Sequence, residues 1–250
     1  MNPARPAISI VIPAYNEEQR LSRTLPQIRD YLAKRGWDGE VVVVDDGSSD
    51  CTAEIVRQWQ KQIPMMRLVQ NGRNRGKGYS VKHGMLEARG HLAIFTDADL
   101  SSPIEEADKL LEVLGGGKYD VAIGSRAMDR RMIQVHQSRF RELAGIIFNL
   151  MVRLVTGLAV VDTQCGFKAF ITAKTRPVFE QQRIEGFGFD PEVLFLAKRQ
   201  GLRMIEVPVR WAHDADTRVR MLRDSLRMFL ELLEIRWNWL LGRYAKRRAS

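Results

Sequence analysis

Residues 91–102 read HLAIFTDADLSS, a short apolar run followed by two carboxylates, Asp97 and Asp99. The run at 92–95 has the length of a buried strand, so both aspartates should follow its carboxyl end, where open α/β sheets bind ligands. Neighbouring side chains on an extended chain point to opposite sides, so a turn after Asp97 is needed before both can reach one ion. Their oxygens suit Mg²⁺ or Mn²⁺ bound jointly with a phosphate. The alternative is a strand-end turn in which Ser102 caps a helix.

Size and charge limit the function classes. The 250-residue chain can bury the core of an α/β domain, and 45% hydrophobic residues are typical of a folded protein. Its 39 Lys and Arg exceed its 30 Asp and Glu, which predicts an anionic partner such as a nucleotide, a phosphate or an acidic lipid. Two cysteines, Cys51 and Cys165, are too few for a disulfide framework and predict reduced thiols in a cytosolic protein. Residues 1–7 lack the pattern of a signal peptide.

The longest apolar stretch, 143–161, approaches membrane-spanning length but carries Arg153 near its middle. A central arginine costs roughly 2.5 to 3.5 kcal/mol on insertion scales, so we expect no spanning helix here. A buried helix and a helix on the membrane surface both remain open.

Strands and helices alternate in the first part of the chain. Apolar runs predict strands at 8–12, 40–44 and 67–69, separated by helices that run to about Lys34 and over 52–62. We expect Pro13 to end the first strand and Asn16 to cap the first helix. This order predicts parallel strands with right-handed crossovers. Three carboxylates at strand ends, Glu17, Asp45 and Asp97, should then converge on one edge.

The second half is less regular. We expect a strand at 121–123, an arginine-rich lid without regular structure at 126–141, and a helix at 142–157. Asp190 should cap a helix at 191–200. A last strand at 204–209 contains Pro208, which favours an edge position.

Residues 71–78 read NGRNRGKG and resemble a phosphate-binding loop, but the glycine spacing fits neither a Walker motif nor a dinucleotide fingerprint. We interpret Lys77 as directed at a nucleotide from the sheet edge. The alternative is a basic, solvated loop.

One long helix is predicted over 217–244, with an apolar stripe and, after Glu234, only basic charges. Such a helix with interfacial aromatic residues is typical of one lying on an anionic bilayer. We therefore divide the chain into a domain at 1–216 and a basic amphipathic helix at 217–250. The alternative is a helix packed on its own domain or on a second subunit.

Five short motifs, in this order, make up a family resemblance: VIPAYNE at 11–17, VDDGS at 44–48, NRGKG at 74–78, DAD at 97–99 and GSR at 124–126. Together they resemble the inverting family 2 glycosyltransferases with a GT-A fold. HQSRFR at 136–141 and DTQCGFK at 162–168 are similar to the dolichyl-phosphate β-glucosyltransferase branch. The resemblance implies a Rossmann-like, mostly parallel sheet flanked by helices.

The resemblance also implies roles for individual positions. Those assigned to the nucleotide sugar are Pro13, Tyr15, Glu17, Asp45, Lys77, Asp97 and Ala98. Those assigned to catalysis are Asp99, Arg126, Arg139, Asp162 and Arg218, the last in place of a lysine often present in relatives. Asp97 and Asp99 are the expected metal ligands. Because a lipid phosphate is already ionised, we expect Asp162 to orient the lid or the sugar; the alternative is that it only caps a turn.

The resemblance implies transfer of a hexose, glucose from UDP-glucose, with inversion onto a polyprenyl or dolichyl phosphate. Mannose from GDP-mannose is the alternative donor, and a non-catalytic anion-binding module is the alternative from another class. We expect an anionic membrane surface or a membrane-anchored protein as partner, and no nucleic acid. The expected location is the cytoplasm, peripheral on the cytoplasmic face of a membrane.

Overall fold

The computed structural model describes residues 6–128, 133–135, 139–212 and 221–244, with the backbone alone for 133–135, 139–145 and 221–225. Strands and helices alternate through most of this length. The elements are β1 (Ile8–Ala14), α1 (Glu18–Arg35), β2 (Gly39–Asp45), α2 (Thr52–Trp59), β3 (Met66–Gln70), α3 (Lys77–Glu87), β4 (Leu92–Thr96), α4 (Ala107–Gly115), β5 (Val121–Ser125), β6 (Ile133–Val135), α5 (Arg139–Thr156), β7 (Phe167–Ile171), α6 (Thr172–Gln181), α7 (Phe189–Arg199), β8 (Met204–Pro208), β9 (Trp211–Ala212) and α8 (Met221–Leu240).

Seven strands form one sheet in the order β3-β2-β1-β4-β7-β5-β8. All neighbours pair in parallel except β7, which runs antiparallel to β4 and β5. Every residue of β2 is buried, since the sheet is covered on both faces. One apolar layer lies under α1, α2 and α4, and the other lies under α3, α5, α6, α7 and α8. The predicted mostly parallel sheet flanked by helices is confirmed.

The start of α1 differs from the expectation. The strand β1 continues past Pro13 to Ala14. Beyond Val11, β1 pairs with β2 alone, so the N–H that proline lacks removes little of the hydrogen bonding between strands. Asn16 is not the helix cap, since α1 begins at Glu18 and the Asn16 side chain bonds to another loop. The helix ends as expected at Gly36, which has a φ of 59°.

The described part of the region 126–141 contains regular elements that the sequence did not predict. Within it, β6 pairs with β9, and α5 begins at Arg139 rather than at 142. Residues 129–132 and 136–138 lie outside the described residues. The predicted edge strand is confirmed as β8, but it is not the last strand, because β9 follows it. Asp190 lies inside α7 and is not its cap.

The C-terminal helix α8 packs against α5 and α7. Its residues Leu232 and Ile235 are buried in the core. The predicted apolar stripe is only partly outward: Tyr244 is buried and donates a hydrogen bond to Glu192, whereas six of its members are exposed, namely Leu226, Leu230, Leu233, Trp237, Leu240 and Leu241. In the described ranges, no helix has both the length and the apolar character needed to cross a membrane.

Candidate active site

The carboxyl ends of β1, β2 and β4 lie side by side, because these strands are parallel neighbours. The structure thus puts Glu17, Asp45 and Asp97 along the edge of the sheet formed by the carboxyl ends of these strands, as the alternating pattern of strands and helices predicts. Asp45 is buried and accepts hydrogen bonds from the backbone N–H of Ser48 at 2.9 Å and from Nε2 of Gln70 at 3.1 Å. Its position is therefore set by the loop after β2 and by the last residue of β3.

The loops that follow β1 and β2 are tied to each other. The N–H of Asn16 donates to Oγ of Ser48 at 2.8 Å, and the N–H of Ser49 donates to Oδ1 of Asn16 at 2.8 Å. Pro13 is half-buried and Tyr15 is exposed beside them. This joined surface is where the resemblance implies the base and ribose.

Asp46 anchors the loop that leads to Lys77. Its carboxylate is buried and accepts hydrogen bonds from the N–H groups of Arg75 at 3.0 Å and Gly76 at 2.8 Å. Gly76 has a φ of 107°, and a Cβ there would lie 2.4 Å from the carbonyl oxygen of Glu185. Asp46 was not among the predicted site residues, although its place in VDDGS directly after a buried strand indicates such a role.

The turn required by the two aspartates is present. The N–H of Leu100 donates to the carbonyl of Asp97 at 3.2 Å, and Leu100 has a φ of 47°. The N–H of Ser101 donates to Oδ1 of Asp99 at 2.9 Å. Ala98 is buried, and its carbonyl accepts from Oγ1 of Thr24 at 2.7 Å.

The alternative in which Ser102 caps a helix is wrong. The short 3-10 turn Ile104–Glu106 that follows has Pro103 at its cap position and no side-chain cap.

Asp97 is held between two elements. Nζ of Lys77, the first residue of α3, lies 2.6 Å from its Oδ1. On the other side is Gly166, where a Cβ would lie only 2.1 Å from Oδ2 of Asp97. Burial lowers the pKa of Lys77, but the charges of Asp97, Asp190 and Asp99 outweigh it and leave that pKa above its usual value.

The donor set fits a divalent cation. Burial, and after it the charge of Asp97, raises the pKa of the Asp99 carboxyl. The two negative charges repel each other, and a cation bound to both carboxylates would offset that repulsion. Asp97 and Asp99 therefore suit Mg²⁺ or Mn²⁺, which prefer hard oxygen ligands shared with phosphate.

Asp162 is bound to Arg126 by three hydrogen bonds. They come from the backbone N–H at 2.9 Å, from Nε at 2.8 Å and from Nη2 at 2.8 Å. Burial raises the pKa of Asp162, but the charge and hydrogen bonds of Arg126 overcome this and hold the pKa below its usual range. The Arg126 guanidinium also lies 5.4 Å from the ring centroid of Trp211. A carboxylate held in this way orients the arginine and is a poor proton acceptor.

Two further arginines, Arg139 and Arg218, were expected at the site. Arg139 is the first residue of α5, described by its backbone alone. Arg218 lies outside the described residues.

Two buried charges near the site were missed from the sequence, Lys168 in β7 and Asp190 in α7. Lys168 stands in an otherwise apolar run, FKAFI, which was a signal that it needs a buried partner. Asp190 was interpreted as a helix cap, so its pairing was not considered.

Comparison with known proteins is consistent with this geometry. Residues 9–173 match the family model of glycosyl transferase family 2. The dolichyl-phosphate beta-glucosyltransferase of Drosophila melanogaster is 35% identical over 94% of this chain and 76% of its own length. That of Saccharomyces cerevisiae is 34% identical over 95% of this chain and 76% of its own length.

Solved structures are similar as well. Glucosyl-3-phosphoglycerate synthase from Mycobacterium tuberculosis, in complex with Mn²⁺, UDP and glucosyl-3-phosphoglycerate, matches with a TM-score of 0.65 and 20% identity, over 98% of this chain and 82% of that one. This likeness confirms the expected GT-A fold. Taken with the family match and the identity to the two glucosyltransferases, it shows that the chain belongs to glycosyl transferase family 2.

Proposed function

We propose that this protein transfers glucose from UDP-glucose, with inversion, to a polyprenyl phosphate of the dolichyl type. The observation that carries the proposal is the Arg126–Asp162 pair. A sugar or alcohol acceptor needs a general base, and Asp162 is fully engaged with an arginine. A phosphate acceptor needs no base, but it does need a positive group for alignment. The relatives named dolichyl-phosphate beta-glucosyltransferase support the same acceptor.

We assign the donor site to the edge of the sheet that carries Asp45 and Asp97. Base and ribose contacts are assigned to Pro13, Tyr15, Glu17 and Asp45, with Ala98 beside the diphosphate. Lys77 neutralises part of the diphosphate charge, since its ammonium already lies among carboxylates at this edge. Asp97 and Asp99 would hold Mg²⁺ or Mn²⁺, which when bound neutralises the negative charge that develops on the leaving UDP.

The acceptor phosphate attacks the anomeric carbon from the face opposite the leaving group. A bond forms between a phosphate oxygen and that carbon while the bond from the carbon to the UDP oxygen breaks, so UDP leaves and the configuration inverts. Arg126 keeps its orientation through Asp162 and presents its remaining guanidinium edge to the acceptor phosphate. Arg139 and Arg218 are the further candidates for this role.

We also place the protein at an anionic membrane surface, on the cytoplasmic face predicted from the sequence. The packed helices α5 and α8 expose large apolar side chains, which are Ile146, Ile147, Leu150, Leu154, Leu226, Leu230, Leu233, Trp237, Leu240 and Leu241. Leu154 is 76% exposed and Leu240 is 72% exposed. Exposed Arg153, Arg236 and Arg243 lie on or directly after the same two helices, which suits acidic lipid headgroups.

The acceptor is tested by offering a prenyl phosphate and the matching prenyl alcohol with labelled UDP-glucose. We expect transfer to the phosphate and little to the alcohol. Comparable transfer to both would overturn the phosphate assignment and would make Asp162 a candidate base again. In parallel, UDP with Mn²⁺ should raise the melting temperature, because a ligand at 100 times its Kd stabilises the folded protein by about 2.7 kcal/mol. GDP with Mn²⁺ should leave the melting temperature unchanged.

The membrane surface is tested by sedimentation with vesicles of phosphatidylcholine and phosphatidylserine. The double change Trp237→Glu and Leu240→Glu should abolish binding without unfolding the protein, since both side chains are largely exposed. The control, Gln27→Glu with Gln58→Glu, adds the same charge at exposed positions of α1 and α2 and should bind normally. Undiminished binding of the Trp237 and Leu240 variant would contradict this placement.

A further inference from the structure

A buried ion pair lies behind the proposed metal site. Lys168 is in β7, between β4 and β5, and Asp190 is in the first turn of α7. Nζ of Lys168 lies 2.5 Å from Oδ1 of Asp190, and the two side chains are only 1% and 6% exposed. Replacing a buried ion pair by apolar residues is often neutral or stabilising, so stability alone does not account for this one.

Lys168 also holds the main chain that bounds Asp97. Its Nζ donates to the carbonyl of Cys165 at 2.6 Å and lies 5.2 Å from the ring centroid of Phe95, two residues before Asp97. The next residue after Cys165 is Gly166, which lies directly against the Asp97 carboxylate. A shift of Lys168 would therefore move one wall of the Asp97 pocket.

Asp190 acts on the same site electrostatically, through its negative charge on Lys77. Among the charges that act on Lys77, that of Asp190 is second only to that of Asp97. Lys77 in turn lies 2.6 Å from Oδ1 of Asp97. The pair thus influences Asp97 through the Gly166 main chain and through Lys77.

We propose that Lys168 and Asp190 are positioning residues that hold Asp97 and Lys77 in the arrangement that binds a divalent cation together with a nucleoside diphosphate. They touch neither ligand themselves. They act through the Cys165 carbonyl, Gly166 and Lys77. The inference rests on the proposed function, because it takes this edge of the sheet as the site of UDP and the metal.

A double variant separates positioning from stability. Lys168→Met with Asp190→Leu removes both charges and roughly keeps the buried volume, so a cooperative thermal transition near that of the wild type is expected. Removing groups that orient metal ligands typically lowers metal affinity 10- to 100-fold. We expect a loss of this size in the affinity for Mn²⁺ measured by calorimetry with UDP present.

The matched control is Asp120→Asn. Asp120 is also buried and bound to two cations, Lys174 at 2.6 Å and Arg203 at 3.3 Å, but it precedes β5 at the opposite edge of the sheet. Its loss should lower the melting temperature and leave the affinity for Mn²⁺ and UDP unchanged.

A folded double variant whose affinity for Mn²⁺, measured with UDP present, is within about twofold of that of the wild type would overturn the inference and leave the proposed function standing. If the double variant does not fold, Asp190→Asn serves instead, since the amide keeps an acceptor for Lys168. An affinity drop of about tenfold or more in that variant supports the inference, and a smaller change overturns it. Failure of the wild type to bind Mn²⁺ with UDP would instead contradict the proposed function.

Discussion

Gly166→Ala adds one methyl group directly against the Asp97 carboxylate. The new Cβ would lie 2.1 Å from Oδ2, 2.6 Å from Cγ and 2.9 Å from Oδ1 of Asp97. Uncrowded carbon and oxygen atoms stay about 3.3 Å or more apart, so one of the two groups must move by about 1 Å. The carboxylate should move, because the main chain beside Gly166 is held by the bond from Lys168 to the Cys165 carbonyl.

The displacement should affect catalysis far more than folding. A shift of about 1 Å in a group that positions the substrate can cost about 100-fold in rate. The free energy of unfolding should fall by about 1 kcal/mol or less, at the low end of overpacking costs, because a side-chain end rather than main chain gives way. We therefore expect about 1% of the wild-type transfer rate in a protein with a nearly unchanged melting temperature.

The assay is glucosyl transfer from UDP-glucose to a prenyl phosphate, read beside thermal unfolding. Gly115→Ala is the control, since no atom lies within 4 Å of the Cβ it would carry in α4. It should keep the full rate. A normal rate in Gly166→Ala would refute the close contact with Asp97, and a large loss of stability would show that the main chain, not the carboxylate, had moved.

Three further outcomes are expected. Asp99→Asn should lower turnover about 100-fold or more and leave the melting temperature equal or higher, because burial and the charge of Asp97 already raise the pKa of that carboxyl. Arg126→Lys should depress turnover at least about tenfold with normal UDP affinity, since lysine keeps the charge but cannot make the paired Nε and Nη2 bonds to Asp162. Burial raises the pKa of Glu192 from 4.5 to about 7, so the folded state binds a proton that the unfolded state has released, and stability is lost as pH rises through this window. The unfolding free energy of Glu192→Gln, measured by urea unfolding, should therefore rise relative to that of the wild type by on the order of 2 kcal/mol from pH 5 to pH 8. A difference between the two proteins that is the same at both pH values would contradict this assignment.

The sequence predicted the half of the sheet where local pattern and burial agree. The runs that became β1, β2 and β4 are largely apolar, as is typical of strands covered on both faces. Two buried polar residues in them, Ser9 and Glu40, are hydrogen-bonded to each other. Parallel order then brings their ends together, which is why the edge with Asp45 and Asp97 could be foreseen. The turn after Asp97 followed from strand geometry alone.

What escaped prediction depends on contacts between distant residues. The side chain of Asn16 was expected to cap its own helix, but it accepts a hydrogen bond from Ser49, 33 positions away. No strand was predicted around Lys168, which was considered only as the last residue of the motif at 162–168, and its partner, Asp190, lies 22 positions further along the chain. The antiparallel direction of β7 is likewise set by its neighbours and leaves no periodic trace in FKAFI.

The carboxylates at the sheet edge divide into two groups, and the division bears on the reaction. Asp45 and Asp46 bind main-chain and amide groups of neighbouring loops. Asp162 binds Arg126. Asp97 pairs with Lys77, and its charge together with burial raises the pKa of the Asp99 carboxyl, so these two aspartates suit a divalent cation more than a general base. Among the described residues, this edge offers the positive charges of Lys77 and Arg126, and its carboxylate Asp162 is already bound to that arginine. This arrangement suits a nucleophile that arrives already ionised, as a phosphate does.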